Sequence, residues 1–356
     1  SSSNNSLTGN IASSNNNTGI YLSSSSANTL TDNTASNNQH GFILYASSTN
    51  TLTENTANSN NNHGIYLWNS SNHNTLTGNT ASNNQYGILL YSSSNTNTLT
   101  GNILSNNEYG IYLSSSCNNN NLRDNTANSN NQHGINLHSS STNTLAGNTA
   151  NSNEWSGIRL SSSSNNNNLT GNTASNNSWN GIDLRFSSNN NTLTGNIVLD
   201  SGWGIELYNS NNNLIYNNYF DNNNNTYDND NNIWNISKTS GTNIIGGSYL
   251  GGNYWSDYAG EDTNGDGLGD TLLPYISRTN IANGGDWLPL VKAGAPLERW
   301  DINEDCTVNF IDLTILSAHW LETPSSPYPR YDLDEDGVVN FIDLTILSAH
   351  WLETTC

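Results

Sequence analysis

Residues 87–109 read GILLYSSSNTNTLTGNILSNNEY, and close variants of this unit recur along the first two-thirds of the chain. Each unit begins with a Gly and an alternating apolar pair, such as Ile88 and Leu90. Alternation with a period of two predicts a strand with one buried face. The Gly residues that open the units are spaced 22 to 24 residues apart: Gly19, Gly41, Gly64, Gly87, Gly110, Gly134, Gly157, Gly181 and Gly204.

Two further short segments in each unit complete a three-sided turn. The second strand of each unit centres on a Leu, and the third strand follows an Asn, as in Asn102-Ile103-Leu104. The central residues of the second strands are Leu7, Leu30, Leu52, Leu76, Leu99, Leu122, Leu145, Leu169, Leu193 and Leu214. The pattern predicts an all-β, right-handed, three-sided parallel β-helix of about ten turns of roughly 23 residues. A leucine-rich repeat is disfavoured because no helix follows the strand. One corner is predicted to carry an amide ladder of Asn33, Asn55, Asn79, Asn102, Asn125, Asn148, Asn172 and Asn196.

The composition of the 356 residues, with 33% apolar and 10% charged residues, is otherwise typical of disorder. The fixed spacing of the apolar residues overrides that interpretation. The net charge is −21, and no basic stripe is present that would bind nucleic acid. No apolar run is long enough to span a bilayer. Because the sequence opens inside a turn, we expect either further turns before Ser1 or a second subunit on that edge.

Aromatic residues recur at outward positions of the Gly strands, and they are candidates for contact with sugar rings or with another protein. The same residues are also explained by β-propensity and by stacking between neighbouring turns. The sequence leaves both interpretations open. The contact candidates are Tyr21, Tyr45, Tyr66, Trp68, Tyr91 and Tyr112.

Four charged residues, Arg159, Asp183, Arg185 and Glu206, lie on three successive turns and are expected to face one another. A carboxylate pair about 5 to 9 Å apart would suit glycoside hydrolysis. An ion-pair ladder explains the same residues without catalysis, so they are candidates only and no catalytic residue is assigned. His40 and His63 are poor metal ligands because no carboxylate or Cys joins them.

The sequence of the C-terminal part of the chain predicts calcium as a cofactor. Oxygen-bearing side chains alternate in Asp262, Asn264, Asp266 and Asp270, with Leu268 offering a carbonyl, as in the first part of an EF-hand loop. Position twelve is Leu273, so Asp286 is a candidate to complete the shell. This is one probable further calcium site beside the two predicted next.

Residues 309–323 and 340–354 are identical, NFIDLTILSAHWLET, and each copy has a helical apolar period. Each copy follows and completes a loop with oxygen-bearing residues at calcium-ligand spacing. The second loop has Gly337 at its sharp sixth position, whereas the first has Cys306, which is a disulfide candidate with Cys356. The predicted ligands are Asp301, Asn303, Asp305, Thr307, Asn309 and Asp312 in the first loop, and Asp332, Asp334, Asp336, Val338, Asn340 and Asp343 in the second.

Two family resemblances follow from these motifs. Residues 1–290, with their NTLTGNTASNN units and the segment GGNYWSDYAGEDTNGDGLGD, resemble the NosD-like and carbohydrate-binding right-handed β-helices. Residues 300–356 resemble a type I dockerin, which implies a cohesin-type partner bound through the duplicated helices. The domains expected are a β-helix at 1–250, a closing segment at 251–290, a short linker at 291–299 and the dockerin-like module at 300–356.

The leading hypothesis is a secreted, calcium-stabilised structural or adhesive surface protein, more a scaffold than an enzyme. It would assemble through the dockerin or end to end with copies of itself. The alternative is a polysaccharide lyase or glycoside hydrolase recruited by the dockerin. A third hypothesis, a periplasmic metal-processing role like that of NosD, is disfavoured by the dockerin. Secretion makes eight sequons glycosylation candidates: Asn4, Asn16, Asn69, Asn168, Asn176, Asn190, Asn224 and Asn235.

Overall fold

The computed structural model describes residues 2–292, 300–303, 307–324, 329–334 and 336–353. The chain forms two compact units, Ser1–Val291 and Lys292–Cys356, and each is described by itself. Most of the predicted linker lies outside the described residues. The same is true of the predicted ligand Asp305 and of the proposed disulfide partners Cys306 and Cys356.

The first unit is the predicted parallel β-helix, with ten strands in each of two sheets. The long-strand sheet, formed by the Gly strands, consists of Thr18–Ser23, His40–Tyr45, His63–Trp68, Tyr86–Tyr91, Tyr109–Ser114, Ile135–His138, Ile158–Ser161, Asn180–Arg185, Trp203–Tyr208 and Thr226–Asp228. The second sheet consists of Ser6–Thr8, Thr29–Thr31, Thr51–Thr53, Thr75–Thr77, Thr98–Thr100, Asn121–Arg123, Thr144–Ala146, Asn168–Thr170, Thr192–Thr194 and Leu214–Tyr216.

The third side is built from shorter pieces. It contains Thr80–Ser82, Ile103–Ser105, Thr126–Asn128, Ile197–Leu199, Tyr219–Asp221 and Tyr254–Trp255. Single parallel bridges such as Thr149 to Thr173 join the turns between these strands. Each residue pairs with its counterpart one turn on, so that Leu99 lies between Leu76 and Leu122. These leucines are fully buried, and burial of each contributes about 1.5–3 kcal/mol.

Asparagine side chains form ladders along the interior of the corners, and the predicted ladder is confirmed. Asn125 donates from Nδ2 to Asn148 Oδ1 at 3.0 Å and accepts from Asn102 Nδ2 at 2.8 Å. Two ladders were not predicted: one includes Asn97 and Asn120, and the other includes Asn107 and Asn130. These buried amides satisfy the backbone groups that the corners leave unpaired.

The Gly column of the long-strand sheet exists because successive turns approach closely there. A Cβ on Gly64 would lie 2.6 Å from the carbonyl oxygen of Gly87 and 2.8 Å from Cβ of Ala81. No side chain fits in that space. The Gly residues that mark the repeat are therefore required by the close packing of successive turns at the start of each long strand.

Cys117 occupies a serine position in a column of buried hydroxyls, between Ser94 and Ser140. Its thiol contacts the Ser114 carbonyl oxygen at 3.1 Å, and burial raises its pKa to about 11. We expect Cys117→Ser to change the free energy of unfolding by less than about 1 kcal/mol, because the hydroxyl makes the same bond. Cys117→Val should cost more, since it removes the donor. In a background with Cys306 and Cys356 replaced by Ser, the native protein should not react with a thiol reagent; rapid reaction would contradict this placement.

After residue 238 the chain forms further short strands. Tyr254–Trp255 pairs in parallel with Tyr219–Asp221, and Thr239–Ser240 pairs in antiparallel fashion with Tyr249–Leu250. Ser277–Thr279 forms a single 3-10 turn. Asp286 is fully buried at the end of the predicted amide ladder, where it accepts from the Asn253 backbone N–H and the Trp255 indole N–H. Its oxygens are bonded to donors inside the coil, and its role in a calcium shell stays a prediction.

The described residues of the second unit form two helices, Phe310–Ala318 and Phe341–Ala349. Asn309 and Asn340 cap them, each in a reciprocal box with the Asp three residues later, Asp312 or Asp343. A small core that includes Val308, Leu316, Val339 and Leu347 packs between the two halves. Among the described residues, no helix has the length and apolar character needed to cross a membrane.

Candidate functional site

The outward face of the long-strand sheet carries the predicted contact residues. Tyr21 is 54% exposed, and Trp68 and Tyr91 are each 39% exposed, whereas Tyr45, Tyr66 and Tyr112 are half-buried. Tyr66 and Trp68 lie parallel, with their ring centroids 5.7 Å apart. The rings therefore pack on one another, as expected if stacking selects them. The more exposed rings still face solvent.

The four charged residues do meet further along the same face. Asp183 accepts a hydrogen bond from Arg185 Nε at 2.7 Å, and Arg159 Nε lies 3.5 Å from its second oxygen. Arg185 also bonds through Nη2 to Glu206. Strand register places Arg159, Asp183 and Glu206 beside one another on successive turns. The cluster is thus an ion-pair network, and its possible role in catalysis stays a prediction.

Burial determines which member of the cluster can reach a ligand. Asp183 is 1% exposed, and desolvation raises its pKa to about 6 despite the two arginines. His133 is also buried, and its pKa falls to about 3 because of desolvation and the positive charge of Arg159. The imidazole is therefore neutral at neutral pH. Glu206 retains partial exposure, with 17% of its side chain accessible, so it is the carboxylate of this cluster that faces solvent.

A cleft opens beside Glu206, with a volume of about 340 Å³. Trp179 and Trp203 line it together with Asn180, whose Nδ2 donates to Glu206 Oε2 at 2.8 Å. Trp179 is 51% exposed and lies parallel to Trp155, with centroids 5.2 Å apart. Aromatic surface beside a few fixed polar groups is typical of a ligand site. We call this the Glu206 cleft.

Trp155, Trp179 and Trp203 were not predicted as site residues. Their near-regular spacing, two or one residues before successive Gly residues, was a usable signal. His40 and His63 do pack together, with ring centroids 4.8 Å apart. Within the described residues, no group of three possible metal-ligating His, Cys, Asp or Glu residues includes them.

The second loop of the C-terminal unit brings its predicted ligands together. Asp332, Asp334 and Asp343 each place a carboxylate oxygen within 4.8 Å of the others. Proximity of three carboxylates suits a hard divalent cation. In the first loop Asp312 accepts from the backbone N–H groups of Ile302 and Asn303, as Asp343 does from Leu333 and Asp334. The two loops therefore share their framework.

The loop 262–270 of the first unit shares part of this framework. The N–H groups of Gly267 and Leu268 donate to Asp262 and Asp266, as those of Gly337 and Val338 donate to Asp332 and Asp336. Asp262 accepts from the backbone N–H groups of Gly265 and Gly267, and Asp270 accepts from Thr263. Lys238 pairs with Asp266. These carboxylates bond to donors of the protein itself, and calcium at this loop stays a prediction.

Each half of the C-terminal unit exposes the same apolar pair at the start of its helix. Phe310 is 73% and Ile311 52% exposed, and Phe341 and Ile342 are 72% and 52% exposed. An exposed apolar patch of this kind is typical of a protein-binding surface. Of the eight sequons, Asn224 and Asn235 are half-buried and the other six are exposed; their glycosylation stays a prediction.

Fold and motifs together define a β-helix protein with a C-terminal dockerin, and comparison with known proteins agrees. The family model described as periplasmic copper-binding protein (NosD) matches residues 1–109 and 93–260, and the type I dockerin domain model matches residues 299–353. The chain belongs to the NosD family. In the described part of the β-helix, no group of three His, Cys, Asp or Glu side chains lies close enough together to bind copper.

Solved structures resemble the fold only distantly. The A-module of the Azotobacter vinelandii mannuronan C-5 epimerase AlgE6 is 15% identical over 59% of this chain, with a TM-score of 0.52, and the match covers 61% of that module. The A-module of AlgE4 from the same organism is 15% identical over 65% of this chain and 76% of its own, with a TM-score of 0.45. No curated protein matches the sequence. The likeness to the AlgE6 module supports the β-helix fold.

Proposed function

We propose that this protein binds and processes an extracellular polysaccharide and is attached to a larger assembly by its dockerin. The Glu206 cleft carries this proposal, because it combines two Trp side chains with a carboxylate that Arg185 and Asn180 hold in place. Trp presents a large flat apolar surface with one polar edge, which suits the faces and hydroxyl groups of sugars. The fold is compatible with the proposal, since the similar AlgE6 module is a mannuronan C-5 epimerase.

The cluster presents one reachable carboxylate to a bound sugar. Asp183 is buried and held by two arginines, so Glu206 alone is open to a substrate. A single carboxylate, fixed by a guanidinium and an amide, can accept a proton from a sugar hydroxyl or from a water molecule.

The dockerin supplies the partner and the cellular setting. The identical exposed pairs on its two helices suit a cohesin-type domain, and calcium would occupy both loops. Such an assembly belongs outside the cell. The filament hypothesis of the sequence analysis stays a prediction, and the Glu206 cleft favours the polysaccharide hypothesis over it.

Incubation with neutral and acidic polysaccharides tests this function, with new chain ends or unsaturated products as the readout. We expect Glu206→Gln to reduce turnover at least about a hundredfold, the usual contribution of a positioned acid or base. Glu154→Gln changes an exposed carboxylate on a nearby turn and should leave turnover unchanged. If no polysaccharide binds or is processed, or if Glu206→Gln matches the control, the proposal is wrong.

A further inference from the structure

Over the first five strands of the long-strand sheet, the central outward column alternates aromatic and aliphatic residues from turn to turn. Tyr21 pairs with Ile43, and Ile43 pairs with Tyr66. Tyr66 pairs with Leu89, and Leu89 pairs with Tyr112. An aromatic ring therefore stands on every second turn, with a smaller side chain between. General β-propensity predicts no such two-turn period.

The alternation produces two slots. Slot 1 lies over Ile43 between Tyr21 on one side and Tyr66 and Trp68 on the other, and its volume is about 490 Å³. Slot 2 lies over Leu89 between Tyr66 and Tyr112, and its volume is about 250 Å³. Tyr66 is the wall that the two slots share. Polar groups border both: Asn17, Thr18 and His40 at slot 1, and His63 and Ser114 at slot 2.

The walls are preorganised by contacts between rings. Tyr66 lies parallel to Trp68 within 6°, and Tyr112 lies parallel to Tyr109 within 15°. His63 packs edge-on against Tyr66, with centroids 4.5 Å apart. Side chains that are already held in place lose little conformational entropy when a ligand enters.

The charge of the slots points to a neutral ligand. Neither slot is lined by Lys, Arg, Asp or Glu. Burial, aided by His40, lowers the pKa of His63 to about 4, so this imidazole is uncharged at neutral pH.

We propose that slots 1 and 2 hold a neutral, β-1,4-linked polysaccharide that runs along the axis of the β-helix. The slots are one two-turn repeat apart, about 9.6 Å at roughly 4.8 Å per strand. An extended β-1,4-linked chain presents the same face of a sugar ring once per disaccharide, which is about this distance. An α-1,4-linked chain coils and loses that register. The inference rests on the proposed function, for which it names the substrate class and the subsites that hold the chain on the same face as the Glu206 cleft.

Affinity electrophoresis of the full chain in gels containing soluble β-1,4-glucan or glucomannan tests the slots, with soluble starch as the α-linked counterpart. We expect retardation by the β-linked polymers and little by starch. Tyr66→Ala should weaken binding about tenfold, because it removes the shared wall. Ile43→Tyr should weaken it comparably by filling slot 1, although it adds an aromatic ring and keeps a strand-forming residue. Phe186→Asn, which removes an exposed ring outside the slots, is the matched control.

The outcomes separate the slots from the proposed function. Stronger binding by Ile43→Tyr, or equal retardation by starch and β-linked polymers, would overturn the slots. They would also be overturned, with the proposed function intact, if Trp179→Ala abolished binding and both slot variants bound normally. If the unaltered chain binds no polysaccharide, both proposals fail. Circular dichroism of each variant shows whether the coil is retained.

Discussion

Removal of calcium is expected to unfold the C-terminal unit and to leave the β-helix folded. Without a cation, Asp332, Asp334 and Asp343 hold three carboxylates within 4.8 Å of one another. Burial and the negative charges of these neighbours raise the pKa of Asp332. The small core offers little stability to offset this repulsion. Calcium at about a hundredfold excess over its dissociation constant would add about 2.7 kcal/mol per site.

Circular dichroism near 222 nm measures this effect, because the two α-helices of the described chain both lie in this unit. We expect the helical signal to disappear in chelator and to return with calcium, but not with magnesium. Asp343→Asn should show the loss even with calcium present. Glu353→Gln, at an exposed carboxylate close to the same loop in sequence, should behave like the unaltered chain. A helical signal that survives chelation would show that calcium does not hold the unit together.

The fold was predictable from the sequence because Gly and Leu recur once in every turn. Gly occurs where successive turns are so close that a Cβ on Gly64 would clash with the next turn. Leu occurs in the buried column that includes Leu99. The closing segment was harder to predict. Trp255 and Asp286 form a hydrogen bond although they are far apart in sequence, and no repeat in the sequence predicts it.

The candidate site was predicted in part. Register alone placed Arg159, Asp183 and Glu206 on adjacent turns, as the structure has them. Register does not reveal that Asp183 is buried while Glu206 is open, since that depends on how the side chains pack around Arg185. The two-turn alternation around Tyr66 was present in the sequence, but its meaning required the slots between the rings.

Substitution of one amide inside the predicted ladder is expected to destabilise the β-helix severely. Asn125 is fully buried; its Oδ1 accepts from Asn102, and its Nδ2 donates to the Leu99 carbonyl oxygen at 2.9 Å. Asn125→Asp keeps the shape but loses both donors and sets an oxygen against the Leu99 oxygen and Asn148 Oδ1. We expect a loss of about 3 kcal/mol or more at pH 7.

The pH dependence of the loss identifies its cause. Burial disfavours the charged form, so the new carboxyl would have a folded-state pKa above its unfolded value of about 3.9. The unfolded state then loses its proton first, and the variant becomes less stable as the pH rises above that value. Asn119→Asp, on the same turn but exposed, should be nearly neutral at every pH. Guanidinium unfolding midpoints at pH 4 and pH 7 give the comparison, and equal midpoints for the two variants would mean that the amide ladder contributes no stability.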